Sequence, residues 1–168
     1  MSDIERDLSK AFVEYADDFE LTIEDDNWDR LRRHFHEDAV REEHAPPLVS
    51  FRHEGIDEII AQWQRIVEGF DRRFERRILV RTGRAEQLGT VVTMPWVGIY
   101  RVRDVPSLIG EGKEIARYEG DLISHLETTW SDDTIARMLD WMTKYGARVE
   151  GLTDFAATLV PRAIARAP

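Results

Sequence analysis

A chain of 168 residues has the length of one domain, and at that size roughly 70% of the unfolded surface is buried, so one substantial core is expected without covalent staples. The absence of cysteine excludes disulfides, thiolate metal ligands and cysteine nucleophiles, and is compatible with a reducing cytoplasm. The net charge of -10, from 23 basic against 33 acidic residues, argues against a nucleic-acid surface, and neither a signal peptide nor a membrane-spanning apolar run is visible. The one basic cluster, Phe70 to Arg77, is interleaved with Asp71 and Glu75 and reads as a solvated helix end.

In chain order, Ile4, Leu8, Phe12, Tyr15 and Phe19 recur at three- and four-residue steps, which predicts an amphipathic helix from Ser2 to about Ile23. The acidic run Glu24 to Asn27 stops it, and Asp26 with Asp29 suggests a cap for a short second helix carrying Trp28, Leu31 and Phe35. His36 to Val40 reads as a turn into a short strand, Ala39 to His44, and Ala45-Pro46-Pro47 opens a loop. Gly55 then opens a third helix whose stripe, Ile56, Ile59, Ile60, Trp63, Ile66, Val67, Phe70 and Phe74, is the clearest in the chain.

From Arg76 the period changes to two. Arg77–Thr82, Leu88–Val102, Ile115–Thr129 and Thr134–Thr143 read as an antiparallel meander of four long strands, with Pro95 marking an edge or bulge and Asp104–Lys113 a long hairpin loop. Within the last hairpin, Ile123, His125 and Glu127 share one face, as do Ala136, Met138, Asp140 and Met142, while Ile135, Leu139 and Trp141 point to the other. Val149, Leu152, Phe155, Ala156, Leu159 and Ile164 return to helix, with Pro161 kinking or ending it.

Three stretches carry a family resemblance: Asp25 to His44, with Trp28, Leu31, Phe35 and the triplet Asp38-Ala39-Val40; His53 to Trp63, opened by Gly55; and Ser131 to Met142. Together they resemble the nuclear-transport-factor-2-like superfamily of the cystatin-like fold, and within it the SnoaL-like group. The first stretch, with Glu14 to Asp17 ahead of it, also resembles scytalone dehydratase. The resemblance implies an α+β domain over residues 1–145, with a C-terminal helical extension, 146–168, belonging to the same domain. Its architecture would be a cone-shaped, curved antiparallel sheet with three N-terminal helices packed on the concave face.

Carried over residue by residue, the resemblance places Glu43 where ketosteroid isomerases keep a carboxylate base, and His125 where they keep an oxyanion-stabilising acid. Asp140 falls where limonene epoxide hydrolases keep one catalytic aspartate, but their Arg-x-Asp has no counterpart in Thr93 to Val97, which disfavours epoxide hydrolysis. The isomerase tyrosine falls on Phe19, with Tyr15 one turn earlier as its substitute. Phe19, Trp63, Phe70, Trp96 and Met138 are expected to be core residues that also line a ligand cavity. Each ionisable candidate has a bland reading too: Glu43 at a solvated strand end, Asp140 paired with an arginine across the sheet.

Other chemistries have less support. His34 and His36 diverge on a helix, and no zinc ligand set accompanies them. Ser124 and His125 lie on opposite strand faces, Gly110-Glu111-Gly112 is too short for a phosphate loop, and no dinucleotide fingerprint exists. The expectation is therefore a lyase, isomerase or cyclase that works without cofactor or metal on a small apolar molecule. Its rival is a non-catalytic binder of such a molecule, or a dimeric partner subunit. An enzyme requires at least two of Glu43, His125 and Asp140 to face one cavity. The outer sheet face near Trp141 is the expected homodimer interface.

Overall fold

The computed structural model describes residues 7–159, so the first residues of the expected N-terminal helix, and Pro161 and Ile164 of the extension, lie outside the described residues. Helix α1 (Leu8–Asp25) is capped by the Asp7 carboxylate, which accepts from the Lys10 amide at 3.0 Å, and buries Leu8, Phe12, Tyr15 and Thr22. Asp26 terminates this helix in the left-handed conformation (φ 57°) and does not cap the next one. The next element is a 3-10 helix, Trp28–His34, whose Trp28 and Leu31 are buried.

Strand β1 (Phe35–Ala45) absorbs the expected turn at His36 to Val40, where its pairing with β7 is irregular. The expected loop after Pro47 is strand β2 (Val49–Glu54), which forms a hairpin with β1. Helix α2 (Ile56–Gly69) follows Gly55, which holds φ 88° and donates its amide to the Ala39 carbonyl at 2.8 Å. The stripe buries Ile56, Ile59, Ile60, Trp63 and Val67 as its spacing predicts, but the helix ends before Phe70 and Phe74.

The remaining strands are β3 (Arg76–Arg81), β4 (Glu86–Leu88), β5 (Val91–Arg101), β6 (Leu108–Glu119) and β7 (Leu122–Trp130). Two sequence expectations fail here. The single strand expected over Ile115–Thr129 is two, separated at Gly120 (φ 60°), and β6 begins inside the expected loop. The last expected strand is helix α3 (Asp132–Tyr145). Ser131 caps it by accepting from the Thr134 amide at 3.1 Å, Asp132 and Asp133 sit in its first turn and Lys144 in its last. It buries Thr134, Met138 and Trp141 at helical spacing. A short helix α4 (Leu152–Ala156) follows.

The strands form one open, curved sheet in the order β2-β1-β7-β6-β5-β3, with β4 on β5. The sheet is mixed, because β1 runs parallel to β7 while the other pairs are antiparallel. Helices α1 and α2 and the 3-10 helix cover one face, meeting Val92, Met94, Ala116, Ile123 and Leu126 in the larger core. Helix α3 closes the other end of that face over Tyr100 and Leu108. Its approach needs Gly110, since a Cβ there would lie 2.7 Å from the Trp130 ring and 3.1 Å from the Met138 sulfur. No described helix is long and apolar enough to cross a membrane.

Candidate functional site

The helices and the sheet line an open-mouthed cavity of about 200 Å³. Tyr15, Phe19, Trp63, Phe70, Trp96 and Met138, the aromatic and thioether residues singled out from the sequence, all line it. Its polar groups come from sheet register. Glu43 of β1 pairs with Thr128 of β7, which pairs with Glu114 of β6, so the three stand in one row on the inner face. Arg41 stands two residues before Glu43 on the same face of β1.

The contacts within this row are specific. Thr128 Oγ1 donates to Glu114 Oε1 at 2.9 Å, and the Trp130 indole N–H donates to Glu43 Oε1. The Arg41 guanidinium approaches Glu43 Oε2 at 3.6 Å and lies over the rings of Phe51 (4.6 Å) and Trp63 (5.3 Å). Burial pushes the Glu43 carboxyl above its ordinary range, opposed by Arg41 and then by the Trp130 N–H. Burial pushes Glu114 further, to about 8, where Arg41 opposes the shift and Glu43 adds to it. The Trp96 indole faces Glu114 and tempers that rise without a well-formed hydrogen bond. Burial therefore disfavours the charged form of both carboxyls, more strongly at Glu114, while Glu43 has the cation and the indole N–H directly beside it. Tyr15 is buried among rings, and burial with the nearby Glu114 keeps its phenol neutral.

The far end of the cavity holds a second, closed network. Arg77 donates to Asp71 at 2.6 Å and to both oxygens of Glu20 at 2.6 and 3.1 Å, and the Tyr100 hydroxyl donates to Asp71 at 3.3 Å. These groups satisfy one another.

Of the three ionisable residues named from the sequence, the structure brings only Glu43 into the cavity, so the pair expected of an enzyme does not form from these three. His125 lies on the outer face, where its Nε2 meets Glu42 Oε1 at 2.8 Å. The reason is a β-bulge: β7 shifts register against β6 between Ile123 and His125, so strict alternation fails and Ile123 and Leu126 both face inward. Asp140 lies exposed on α3, paired with Lys144 at 2.7 Å, because its segment is a helix and not a strand. Trp141 is likewise not on the outer sheet face; it is buried under α3, its N–H donating to the Pro106 carbonyl at 2.6 Å. The second carboxylate of the cavity is Glu114, which sequence reasoning missed together with Arg41, Thr128 and Trp130. Period two from Glu43 places Arg41 on its face, which was the available signal for that residue. Of the other histidines, His34 meets Asp18 at 2.6 Å, His36 the Glu119 carbonyl at 2.9 Å, His44 the Ser50 hydroxyl at 3.0 Å and His53 Glu58 at 3.8 Å. Among the described residues no cluster of three or more His, Asp or Glu side chains is placed to hold a metal ion.

No protein-family model and no curated protein matches this chain. Solved structures do. An NTF2-like protein of unknown function from Burkholderia pseudomallei superposes with a TM-score of 0.60 at 12% identity, over 79% of this chain and 98% of its own. A protein with a ketosteroid isomerase-like fold from Catenulispora acidiphila, solved in complex with trimethylamine, gives 0.54 at 19% identity, over 73% and 88%. A cystatin-like-fold protein of unknown function from Xanthomonas campestris gives 0.57 at 15% identity, over 75% and 95%. At these identities the likeness is one of fold, and the fold of this chain is the NTF2-like, cystatin-like cone.

Proposed function

We propose that the chain is a cofactor-independent acid–base enzyme of the lyase, isomerase or cyclase type, acting on a small, largely apolar molecule, with Glu43 as base and Glu114 as proton donor. The observation that supports this reading is the placing of two buried carboxyl groups on one inner sheet face, in register with Thr128 between them, in a largely apolar cavity. Glu43 would take a proton from carbon, and Glu114 would deliver one elsewhere on the same molecule, moving a double bond or assisting a leaving oxygen. A volume of about 200 Å³ lies below the roughly 300–1,000 Å³ of pockets for drug-sized ligands, so the substrate has one or two rings at most. Binding without catalysis is the reading left if proton transfer fails. The proposal includes a homodimer formed through the outer sheet face, at its apolar strip on β3, β5 and β6.

The test uses a generic proton-abstraction probe, 5-nitrobenzisoxazole, whose ring opens to a coloured phenolate when a carboxylate removes its proton. The wild-type protein should open it, and Glu43→Gln should lower the rate by about 10²-fold or more. His125→Gln and Asp140→Asn should match wild type. Equal rates for Glu43→Gln and wild type would sink the enzyme reading.

A further inference from the structure

Arg41 is anomalous in this cavity. Its residue exposure is 7%, and its Nε and Nη1 are sealed from solvent without any hydrogen-bond partner. The nearest carboxylate oxygen, on Glu43, is 3.6 Å from Nη2, beyond hydrogen-bond reach, and Glu43 instead accepts from Trp130. A guanidinium carries five N–H donors, and burying it is costly unless those donors are used. The stacking of Arg41 on Phe51 and Trp63 fixes the plane of the group but satisfies none of its N–H bonds.

Two more buried polar atoms of the cavity wall lack a hydrogen-bond partner. Trp96 Nε1 is a buried donor without a well-formed bond, and Glu114 Oε2, on a carboxyl that burial pushes toward its neutral form, has no partner either. One oxygen of each carboxyl is engaged, Glu43 Oε1 by Trp130 and Glu114 Oε1 by Thr128. An apolar cavity with spare donors around a fixed cation is complementary to a ligand that is apolar in body and rich in acceptors at one end.

We infer that the cavity receives a small one- or two-ring carboxylic acid, whose carboxylate takes the unused N–H groups of Arg41 while its rings lie against Trp63 and Trp96. The inference rests on the proposed reading of the cavity and adds the substrate's charged group to it. It also gives Arg41 a positioning role. A bound carboxylate replaces Glu43 as the counter-charge of Arg41, which leaves Glu43 a more basic group next to the substrate.

The test compares three probes of one shape and different charge, benzoate, benzamide and benzylammonium, each titrated into the full chain at pH 7 and followed by tryptophan fluorescence excited at the red edge. Benzoate should bind saturably and at least about tenfold more tightly than benzamide, and benzylammonium should be weaker still. Arg41→Met should bring benzoate and benzamide to within about twofold of each other. Replacing a buried ion with an apolar side chain is often tolerated, and the wild-type probe series does not depend on that variant folding. Equal affinity for benzoate and benzamide, tightest binding of benzylammonium, or no saturable change with any probe at millimolar concentration would each overturn the inference. Loss of carboxylate preference with Glu43-dependent ring opening intact removes only this inference. Carboxylate binding without ring opening removes only the enzyme.

Discussion

Glu43 and Glu114 face each other across Thr128 from strands two apart, roughly 10 Å between backbones, so that each side chain reaches toward the same space. The Thr128 hydroxyl spends its proton on Glu114, and the Trp130 indole spends its own on Glu43. Burial raises both carboxyls and Arg41 opposes the rise at both, but Glu114 also bears the repulsion of Glu43.

That asymmetry makes stability pH-dependent. The folded-state pKa of Glu114, about 8, is raised above the ordinary 4.5, so the folded chain keeps a proton that the unfolded chain releases. The contribution is fully present below the ordinary value and is lost as pH rises from about 4.5 through about 8. Glu114→Gln keeps an acceptor for Thr128 and removes the titration. Thermal melts should show the variant close to wild type at pH 5 and more stable at pH 9, by on the order of a few kcal/mol. A parallel pH profile for the two proteins would show that Glu114 is not held neutral by the fold.

How much of this was legible in the sequence depended on whether one local signal stood alone. The stripe of α2 was unambiguous because Ile56, Ile59, Ile60, Trp63 and Val67 fit only a 3.6-residue period. In α3 the apolar residues Ala136, Met138 and Met142 also fit period two, and only the Ser131 cap with Asp132 and Asp133 behind it marks a helix. Glu43 came from the family resemblance, and it faces inward because its strand alternates cleanly from Ala39. Glu114 was hidden at the boundary of an expected loop, between Lys113 and Ile115, and Arg41 because a lone arginine ordinarily reads as solvated. The bulge that turns His125 outward is a property of the β6–β7 pair and has no mark in β7 alone.

Gly110 and Gly112 of β6, too short a run for a phosphate loop, serve packing. A Cβ on Gly112 would lie 2.8 Å from the Trp96 ring and 2.9 Å from the Thr129 carbonyl oxygen, which the neighbouring strand holds in place. Gly112→Ala should therefore cost about 1–3 kcal/mol, lowering Tm by several degrees despite the entropy that alanine removes from the unfolded chain. An unchanged or raised Tm would mean that Trp96 and β7 yield freely, and that the cavity wall is softer than its packing suggests.

The outer sheet face bears on self-association, although not through Trp141. Ile78, Ile99 and Ile109 align across β3, β5 and β6, and Val80 pairs with Val97 in the neighbouring row. These side chains point away from the cavity, with Val80 43% and Ile109 40% exposed. A contiguous apolar strip beside the edge strand β3 is a surface that a second copy would cover in a two-fold arrangement. Sedimentation velocity at micromolar concentration should show a dimer, and Val80→Lys with Ile109→Lys should shift it to monomer without lowering Tm by more than a few degrees, since neither side chain is buried within the chain. A wild-type monomer at that concentration, or a dimer that survives both lysines, would remove this strip as the interface. Because α1, α2 and the 3-10 helix cover the opposite face, the cavity and its proton-transfer rate per chain should be the same in monomer and dimer.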